Sequence, residues 1–202
     1  MNKLKDSTPD WLYHQAKLDA DLLPQITKEL TNFFLSNKNQ SLVQMTSTYV
    51  EYYDIKTCPT LIQQLQQLDL YTKFLALGFI SVDSTKIFPP HVDGDVDCAL
   101  NIPIVNCEGT YTVWYDGVIT DNELPDYAKG VKIAEISRIA DPKTVKEIGR
   151  CDSSIPHWIN INTLHRPETT HDRFRVAASL RFYPEPLNEK RELWPHLIKI
   201  NN

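Results

Sequence analysis

The chain has 202 residues, a hydrophobic fraction of 42% and a formal net charge of −5. This composition predicts one globular domain with a sizeable core and excludes a disordered or membrane-spanning type of chain. The negative charge gives no electrostatic reason to expect nucleic acid or an anionic membrane as a partner. Widely spaced cysteines and a polar N-terminal segment predict a cytoplasmic protein with reduced thiols.

The first part of the chain has the apolar spacing of helices. Leu22 to Leu35 predicts a helix, with Pro24 tolerable in its first turn. Thr60 to Tyr71 predicts a second helix, because leucines recur along one of its sides. Between these segments, Thr46 to Tyr53 is rich in β-branched and aromatic residues and predicts a strand.

From about Thr72 onward, short extended segments alternate with turn residues. The predicted strands are Lys73 to Val82, Ala99 to Val105, Thr110 to Tyr115, Val131 to Ser137, Trp158 to Thr163 and Phe174 to Tyr183. The predicted turns are Asp93 to Asp95, Asn106 to Gly109, Asp116 to Gly117, Asp121 to Glu123 and Pro167 to Thr170. This order predicts a barrel or sandwich with helices on one outside face, and Glu189 to Ile198 predicts a short helix in the tail.

The strand that contains Arg175 alternates two kinds of side chain. One row of alternate residues is apolar and consists of Phe174, Val176, Ala178, Leu180 and Phe182. The other row is small or polar and consists of Arg175, Ala177, Ser179 and Arg181. Because successive strand residues point to opposite faces, the rows form two surfaces. Either the arginine row faces water, or the apolar row packs on the helices and the arginine row faces the inside of a ligand-holding barrel.

His91 and Asp93 are candidate ligands of one metal ion, since residues two apart on a strand point the same way. Two imidazoles and one carboxylate are the ligand set of non-haem Fe(II) oxygenases, so the third ligand should come from another strand. His165 is the first choice because an apolar strand leads into it; His157 is the alternative, and His171 in a polar turn ranks last. The structural alternative for the pair is a loop histidine and a turn aspartate that bonds its own backbone.

Arg175 is the candidate anchor for a dicarboxylate. A buried guanidinium can grip a carboxylate with two parallel hydrogen bonds. Strand parity places Ser179 and Asn101 where they could add further hydrogen bonds. The alternative for Arg175 is a surface position paired to a carboxylate, which would contribute little to stability.

Several of these segments together resemble a known family. The runs His91-Val-Asp93, Cys98-Ala-Leu-Asn-Ile-Pro-Ile104, Asn106-Cys-Glu108 and Tyr111-Thr-Val-Trp-Tyr-Asp116 are similar to 2-oxoglutarate-dependent Fe(II) oxygenases. More narrowly, they resemble small phage and bacterial proteins grouped with the aspartyl/asparaginyl β-hydroxylases. The later runs Ile161-Asn-Thr-Leu-His165 and Arg175-Val-Ala-Ala-Ser-Leu-Arg-Phe182 resemble the closing motif of that family, and the resemblance covers about Leu61 to Phe182.

The resemblance implies a mainly β fold, a double-stranded β-helix (jelly-roll, cupin-like) with the N-terminal helices packed on the outside. It implies a single oxygenase-like domain over 1–202, made of a helical N-terminal extension (1–58), the β-helix core (59–183) and a C-terminal tail (184–202). Iron would be ligated by His91, Asp93 and His165, and Arg175 would hold the distal carboxylate of 2-oxoglutarate. Some family members lack the carboxylate ligand that Asp93 supplies here, so their substrate does not transfer directly.

The function implied is an Fe(II)- and 2-oxoglutarate-dependent dioxygenase that hydroxylates an amino-acid side chain or a small molecule. Its partners would be 2-oxoglutarate, dioxygen and that substrate, with no nucleic acid and no membrane. The alternative is a non-oxidative cupin-like protein that binds a metal or a small ligand. A third hypothesis is a binding or structural module that keeps the motif without using it.

Overall fold

A computed structural model describes residues 12–36, 49–68, 70, 74–80, 89–93, 98–119, 136–173, 175–180 and 182. The described helices are α1 (Leu23–Ser36) and α2 (Pro59–Gln67), with a short 3-10 helix at Ile55–Thr57. The described strands are β1 (Tyr13–Gln15), β2 (Tyr49–Asp54), β3 (Phe74–Ile80), β4 (His91–Asp93), β5 (Cys98–Val105), β6 (Thr110–Asp116), β7 (Ile136–Ile139), β8 (Lys146–Asp152), β9 (His157–Asn160), β10 (His165–Thr169) and β11 (Arg175–Leu180). No helix in this part of the chain has the length and apolar character needed to cross a membrane.

The strands form two antiparallel sheets. The large sheet has the order β1-β9-β5-β11-β3-β2, and the small sheet has the order β7-β4-β10-β6-β8. From β3 to β6, and again from β8 to β11, each strand lies in the opposite sheet from the strand before it. This alternation winds the chain into a double-stranded β-helix, which confirms the predicted fold class.

Both helices pack on the outer face of the large sheet. Helix α1 buries Ile26, Leu30 and Phe34, which recur at four-residue spacing and therefore lie on one side. Helix α2 begins at Pro59, which suits the first turn because its missing N–H would have no partner there. Together with buried residues of β5, β9 and β11, the helices form the larger apolar core.

Strand β11 settles which of its two rows faces the helices. Val176, Ala178 and Leu180 belong to the core beneath the helices. By alternation, Arg175 and Ser179 point to the other face, between the two sheets. Val176, Ala178 and Leu180 therefore pack toward the helices, and Arg175 and Ser179 face the barrel interior.

A second apolar cluster fills part of the space between the sheets. It contains Leu12, Ala99, Trp114, Cys151, Ile159 and Ile161. Strands of both sheets contribute to it, so an apolar cluster fills part of the interior that Arg175 also faces. A charged or polar group on that face has little water to compensate its burial.

Strand β10 overturns the turn predicted at Pro167 to Thr170, because the strand runs through most of that segment. Pro167 pairs with Thr112 of β6, whereas β10 meets its other neighbour, β4, at the His165–His91 pair. Among the described residues, Pro167 therefore has no strand partner on the β4 side, and such edge positions tolerate proline.

The other predicted elements that fall on described residues agree with the structure except at their ends. Helix α2 ends at Gln67, with Leu68 as its C-cap, rather than at Tyr71. The turn from Asn106 to Gly109 joins β5 to β6, and both of these residues have positive φ, 49° and 71°. Strands β1 and β8 were not predicted. Four predictions lie wholly or mostly outside the described residues: the tail helix, the Asp121 to Glu123 turn, the strand from Val131 to Ser137 and the turn from Asp93 to Asp95.

The first 58 residues supply strands as well as a helix. Strand β1 pairs with β9 at one edge of the large sheet, and β2 pairs with β3 at the other edge. Residues predicted as a helical extension therefore also widen the sheet that the helices cover. The domain boundaries at residues 58 and 183 stay a prediction.

Candidate metal centre

The three predicted metal ligands converge. His91 and Asp93 lie on β4, and His165 begins β10 directly opposite His91 in the strand register. One ligand-capable atom from each residue lies within 4.8 Å of the others. The two imidazole rings have centroids 4.7 Å apart, and His91 Nε2 lies 3.4 Å from Asp93 Oδ1. Both histidines are buried, so the cluster is held inside the barrel wall.

Hydrogen bonds select the tautomer of both histidines. His91 Nδ1 lies 3.0 Å from the carbonyl oxygen of Pro89, and His165 Nδ1 lies 2.9 Å from that of Thr163. A carbonyl oxygen can only accept, so each Nδ1 carries the hydrogen and donates it. The lone pair of each ring is then on Nε2, the arrangement that metal-binding histidines use.

A turn that follows β9 is organised by the side chain of Asn160. Its Oδ1 accepts hydrogen bonds from the backbone N–H of Asn162 at 3.0 Å and from the hydroxyl of Thr163 at 3.3 Å. The indole Nε1–H of Trp114 donates to the backbone oxygen of Asn160 at 2.8 Å. This side chain therefore closes the turn, while the indole ties it to the small sheet.

The same turn holds two of the three clustered residues. The backbone oxygen of Ile161 accepts from the N–H of Asp93 at 3.0 Å. Two residues further on, the backbone oxygen of Thr163 accepts from the His165 ring. The turn that Asn160 closes therefore presents both of these carbonyls to the cluster.

Arg175 is buried inside the barrel, with 6% of its surface exposed. Its Nε has no hydrogen-bond partner among the described residues. In the same part of the chain, the arginine ion pairs are made by Arg150 and Arg166. A buried guanidinium without a carboxylate is costly, and a bound anion would compensate it.

Three further polar side chains, those of Ser179, Asn101 and His157, lie on the same face of the large sheet as Arg175. The strand register places Ser179 opposite Asn101, and Asn101 opposite His157, so all three point to the same face. Asn101 Oδ1 and His157 Nε2 are buried, and the described part of the chain offers neither a hydrogen-bond partner. The interior of the large sheet therefore contains several polar groups that a ligand or ordered water could satisfy.

The structure separates His157 from the metal cluster. Its Nδ1 lies 2.6 Å from the carbonyl oxygen of Ile155, and its side chain lies beside that of Asn101 on the inner face of the large sheet. Burial, together with the positive charge of Arg175, lowers the pKa of His157 to about 4. It is thus His165, rather than His157, that lies beside His91 and Asp93.

His171, which ranked last among the candidate ligands, lies in the loop after β10, where its Nε2 is 2.9 Å from the carbonyl oxygen of Glu108.

The sequence did not indicate the surroundings of two residues, His157 and Asn160. Asn160 was detectable in principle, because Asn-x-Asn-Thr is typical of a turn closed by a side-chain amide. The environment of His157 depends on strand register, which the sequence does not show.

No family model matches the chain. Two curated sequences, the ribosomal small subunit pseudouridine synthase A of Salmonella typhimurium and that of Salmonella typhi, are each 28% identical to it over 135 residues. The alignments cover 67% of this chain and 54% of the relatives, so the chain spans about half the length of the curated relatives it matches.

Three solved structures have a similar overall shape. A prolyl-4-hydroxylase of Pseudomonas putida has a TM-score of 0.44 and 10% identity, covering 87% of this chain and 92% of that one. A prolyl hydroxylase of Trichoplax adhaerens, in complex with a hypoxia inducible factor peptide fragment, has 0.44 and 11%, with coverages of 90% and 85%. The non-heme alpha ketoglutarate dependent epimerase SnoN from nogalamycin biosynthesis has 0.41 and 14%, with 85% and 77%. Likenesses of this degree assign no activity to the chain.

Proposed function

We propose that this protein is an Fe(II)- and 2-oxoglutarate-dependent dioxygenase that hydroxylates an amino-acid side chain or a small molecule. The observation that carries the proposal is the convergence of His91, Asp93 and His165 within 4.8 Å, in a barrel that also buries Arg175 without a counter-ion among the described residues. A histidine–carboxylate cluster or a buried arginine, taken singly, occurs in proteins of many kinds. Their combination in one interior is what such chemistry requires.

The clustered residues fit Fe(II) by the chemistry of their donors. Two imidazoles and one carboxylate form the ligand set of non-haem iron oxygenases, and they leave coordination positions for co-substrate and dioxygen. The Nδ1–H bonds to Pro89 and Thr163 fix both rings before the metal binds. When bound, iron supplies the activation of dioxygen and the oxidation of a C–H bond.

Arg175 supports the choice of a dicarboxylate as co-substrate. Its guanidinium can hold one carboxylate by charge-assisted hydrogen bonds, which leaves the other end of the molecule for the metal. Ser179 and Asn101 lie on the same interior face and add polar partners. The apolar cluster that contains Trp114 and Ile159 excludes water from the neighbouring space.

Binding can be tested apart from turnover by adding 2-oxoglutarate to Fe(II)-loaded protein without oxygen. We expect the visible charge-transfer band of the metal–keto-acid chelate. His165→Ala should lose the band, because metal binding should weaken by at least about 100-fold. His171→Ala is the matched control, since it removes a loop histidine and should keep the band.

The outcome in air distinguishes oxidation from simple binding. An oxygenase should convert 2-oxoglutarate to succinate with Fe(II) and not with Zn(II). Absence of the band in metal-loaded wild-type protein would contradict the proposal. A band without succinate, even when candidate peptides and metabolites are supplied, would instead favour the non-oxidative cupin-like protein.

A further inference from the structure

Three buried polar side chains on the inner face of the large sheet, those of Asn101, His157 and Arg175, are incompletely hydrogen-bonded in the part of the protein that the structure describes. His157 is fully buried, Asn101 is 9% exposed and Arg175 is 6% exposed. Each has a buried atom without a hydrogen-bond partner there: Nε2, Oδ1 and Nε, respectively. Leaving a buried polar atom without a hydrogen-bond partner is unfavourable, so a cluster of such atoms indicates a site that a ligand completes.

The tautomer of His157 determines what it can bind. Its Nδ1–H donates to the carbonyl oxygen of Ile155, so a neutral ring has only a lone pair at Nε2. A carboxylate held by Arg175 also offers only lone pairs. The two groups can meet in a hydrogen bond only if Nε2 acquires a proton.

The charges around His157 explain why that proton is absent before a ligand binds. Burial is the main effect that lowers the pKa of His157, and Arg175 on β11 lowers it further, whereas Asp152 on β8 acts in the opposite sense. Tyr13 on β1 lies against the ring, with centroids 5.8 Å apart, and Asn101 on β5 is neutral. A ligand carboxylate bound to Arg175 would place a negative charge near His157 and so raise the pKa of its imidazole.

We propose that His157 is a co-substrate-binding residue that takes up one proton from solvent when a dicarboxylate binds, and then donates Nε2–H to the carboxylate that Arg175 holds. The inference rests on the proposed function, because it takes the dicarboxylate from there. The Asn101 amide completes the site by turning its NH2 group toward the same carboxylate. The net result is the binding of one anion together with one proton.

This coupling has a defined sign. The ligand binds the protonated form better, so the pKa of His157 is higher in the complex than in the free protein. Affinity for 2-oxoglutarate therefore rises as pH falls. Between the pKa of His157 in the free protein and its higher pKa in the complex, the affinity weakens by about tenfold for each unit that the pH rises. Without this coupling, the affinity for 2-oxoglutarate would not depend on the protonation of His157.

The test is calorimetric titration of 2-oxoglutarate into anaerobic Fe(II)-loaded protein, in buffers of different ionisation enthalpy between about pH 6 and 8. His157→Gln offers a side-chain N–H that needs no proton uptake. We expect wild type to take up more protons than His157→Gln, with a difference that approaches one per ligand. His171→Gln, the same substitution in a loop, should behave as wild type.

The outcomes separate this inference from the proposed function. Equal proton uptake by wild type and a folded His157→Gln variant would overturn the part assigned to His157, while the dioxygenase proposal would stand. Absence of proton uptake by wild type would do the same without any variant. Failure of metal-loaded wild type to bind 2-oxoglutarate at any of these pH values would overturn both.

Discussion

Arg166 lies on the outer face of the small sheet and Arg175 lies inside the barrel, and their surroundings differ in kind. The Nε of Arg166 donates to the hydroxyl of Tyr115 at 3.0 Å and to Glu168 at 2.9 Å, and its NH2 group lies 2.6 Å from the same carboxylate. Its guanidinium also lies over the Tyr115 ring, 5.3 Å from the centroid. Arg175 is more deeply buried, and its Nε has no partner among the described residues.

The difference teaches how to distinguish a structural charge from a functional one in this fold. The outer network compensates its own charges, so it needs nothing from outside the chain. The inner arginine carries a desolvation cost that no described residue offsets, and such a cost is reasonable where a ligand supplies the missing charge. Substitutions at the two positions should therefore have opposite consequences.

The largest expected effect is at Arg175. Arg175→Met should weaken 2-oxoglutarate binding by roughly 100-fold or more, because a desolvated charge partner is lost. The free energy of unfolding of the ligand-free protein should be unchanged or higher, since an apolar chain replaces a buried charge that has no counter-ion among the described residues. Anaerobic titration and urea unfolding measure the two quantities. Loss of stability with unchanged affinity would remove the distinction between the two arginines.

His157 gives a second test of the interior, through stability against pH. Its pKa is about 4 in the folded protein, below the value near 6.5 of an unfolded histidine. Below about pH 6.5 the unfolded chain binds a proton at His157 that the folded protein does not bind. The free energy of unfolding therefore decreases as the pH is lowered, by up to about 3 kcal/mol near pH 4. Urea unfolding of wild type and His157→Gln at several pH values measures this slope. A wild-type slope no steeper than that of His157→Gln would contradict the prediction.

Asn160 tests whether the turn after β9 positions the metal ligands. Asn160→Ala should weaken metal binding by about tenfold, because the Ile161 and Thr163 carbonyls would no longer be held in place. Asn160→Asp keeps an oxygen acceptor at Oδ1 and should restore most of the affinity. Co(II) titration followed by visible absorption measures affinity and ligand geometry together. If the Ala and Asp variants matched each other, the amide oxygen would not be what holds the ligands.

The smallest effect is expected at Arg166. Arg166→Met should lower the free energy of unfolding by about 1 kcal/mol or less, because surface ion pairs contribute little even within a network. Affinity for 2-oxoglutarate should stay at the wild-type value, since Arg166 points away from the barrel interior. The same titration and unfolding measurements used for Arg175 apply. A large loss of affinity would show that the outer network supports the site.

The sequence predicted the parts of the molecule in which one face is strongly apolar. Helix α1 and strands β3, β5, β6 and β11 follow clear periodicities, and the contrast between the two rows of β11 reflects a real difference between helix side and interior. Strand β8 was missed because Lys146, Glu147, Arg150 and Asp152 make it read as polar loop. Strand β10 was missed because Pro167 is typical of a turn, and the short neighbour that makes it tolerable is not visible in the sequence.

For the candidate site, the sequence supplied the residue types but not their partners. His91 and Asp93 were paired by parity, and the structure brings them to His165. The choice between His157 and His165 needed the register, because both histidines begin a short strand. The tautomers depend on carbonyls two residues away, and the orphaned atoms depend on burial, so neither could be predicted from spacing.

As far as the structure describes it, strand β4 has three residues and joins β10 through one residue pair, His91 opposite His165. A cation bound by residues of both strands would cross-link β4 and β10, which share little backbone pairing. Amide hydrogen exchange at Val92 and Asp93 should then slow when metal is added, and far more than exchange in the well-paired β11. Occupancy of the centre could thus be followed from the backbone itself.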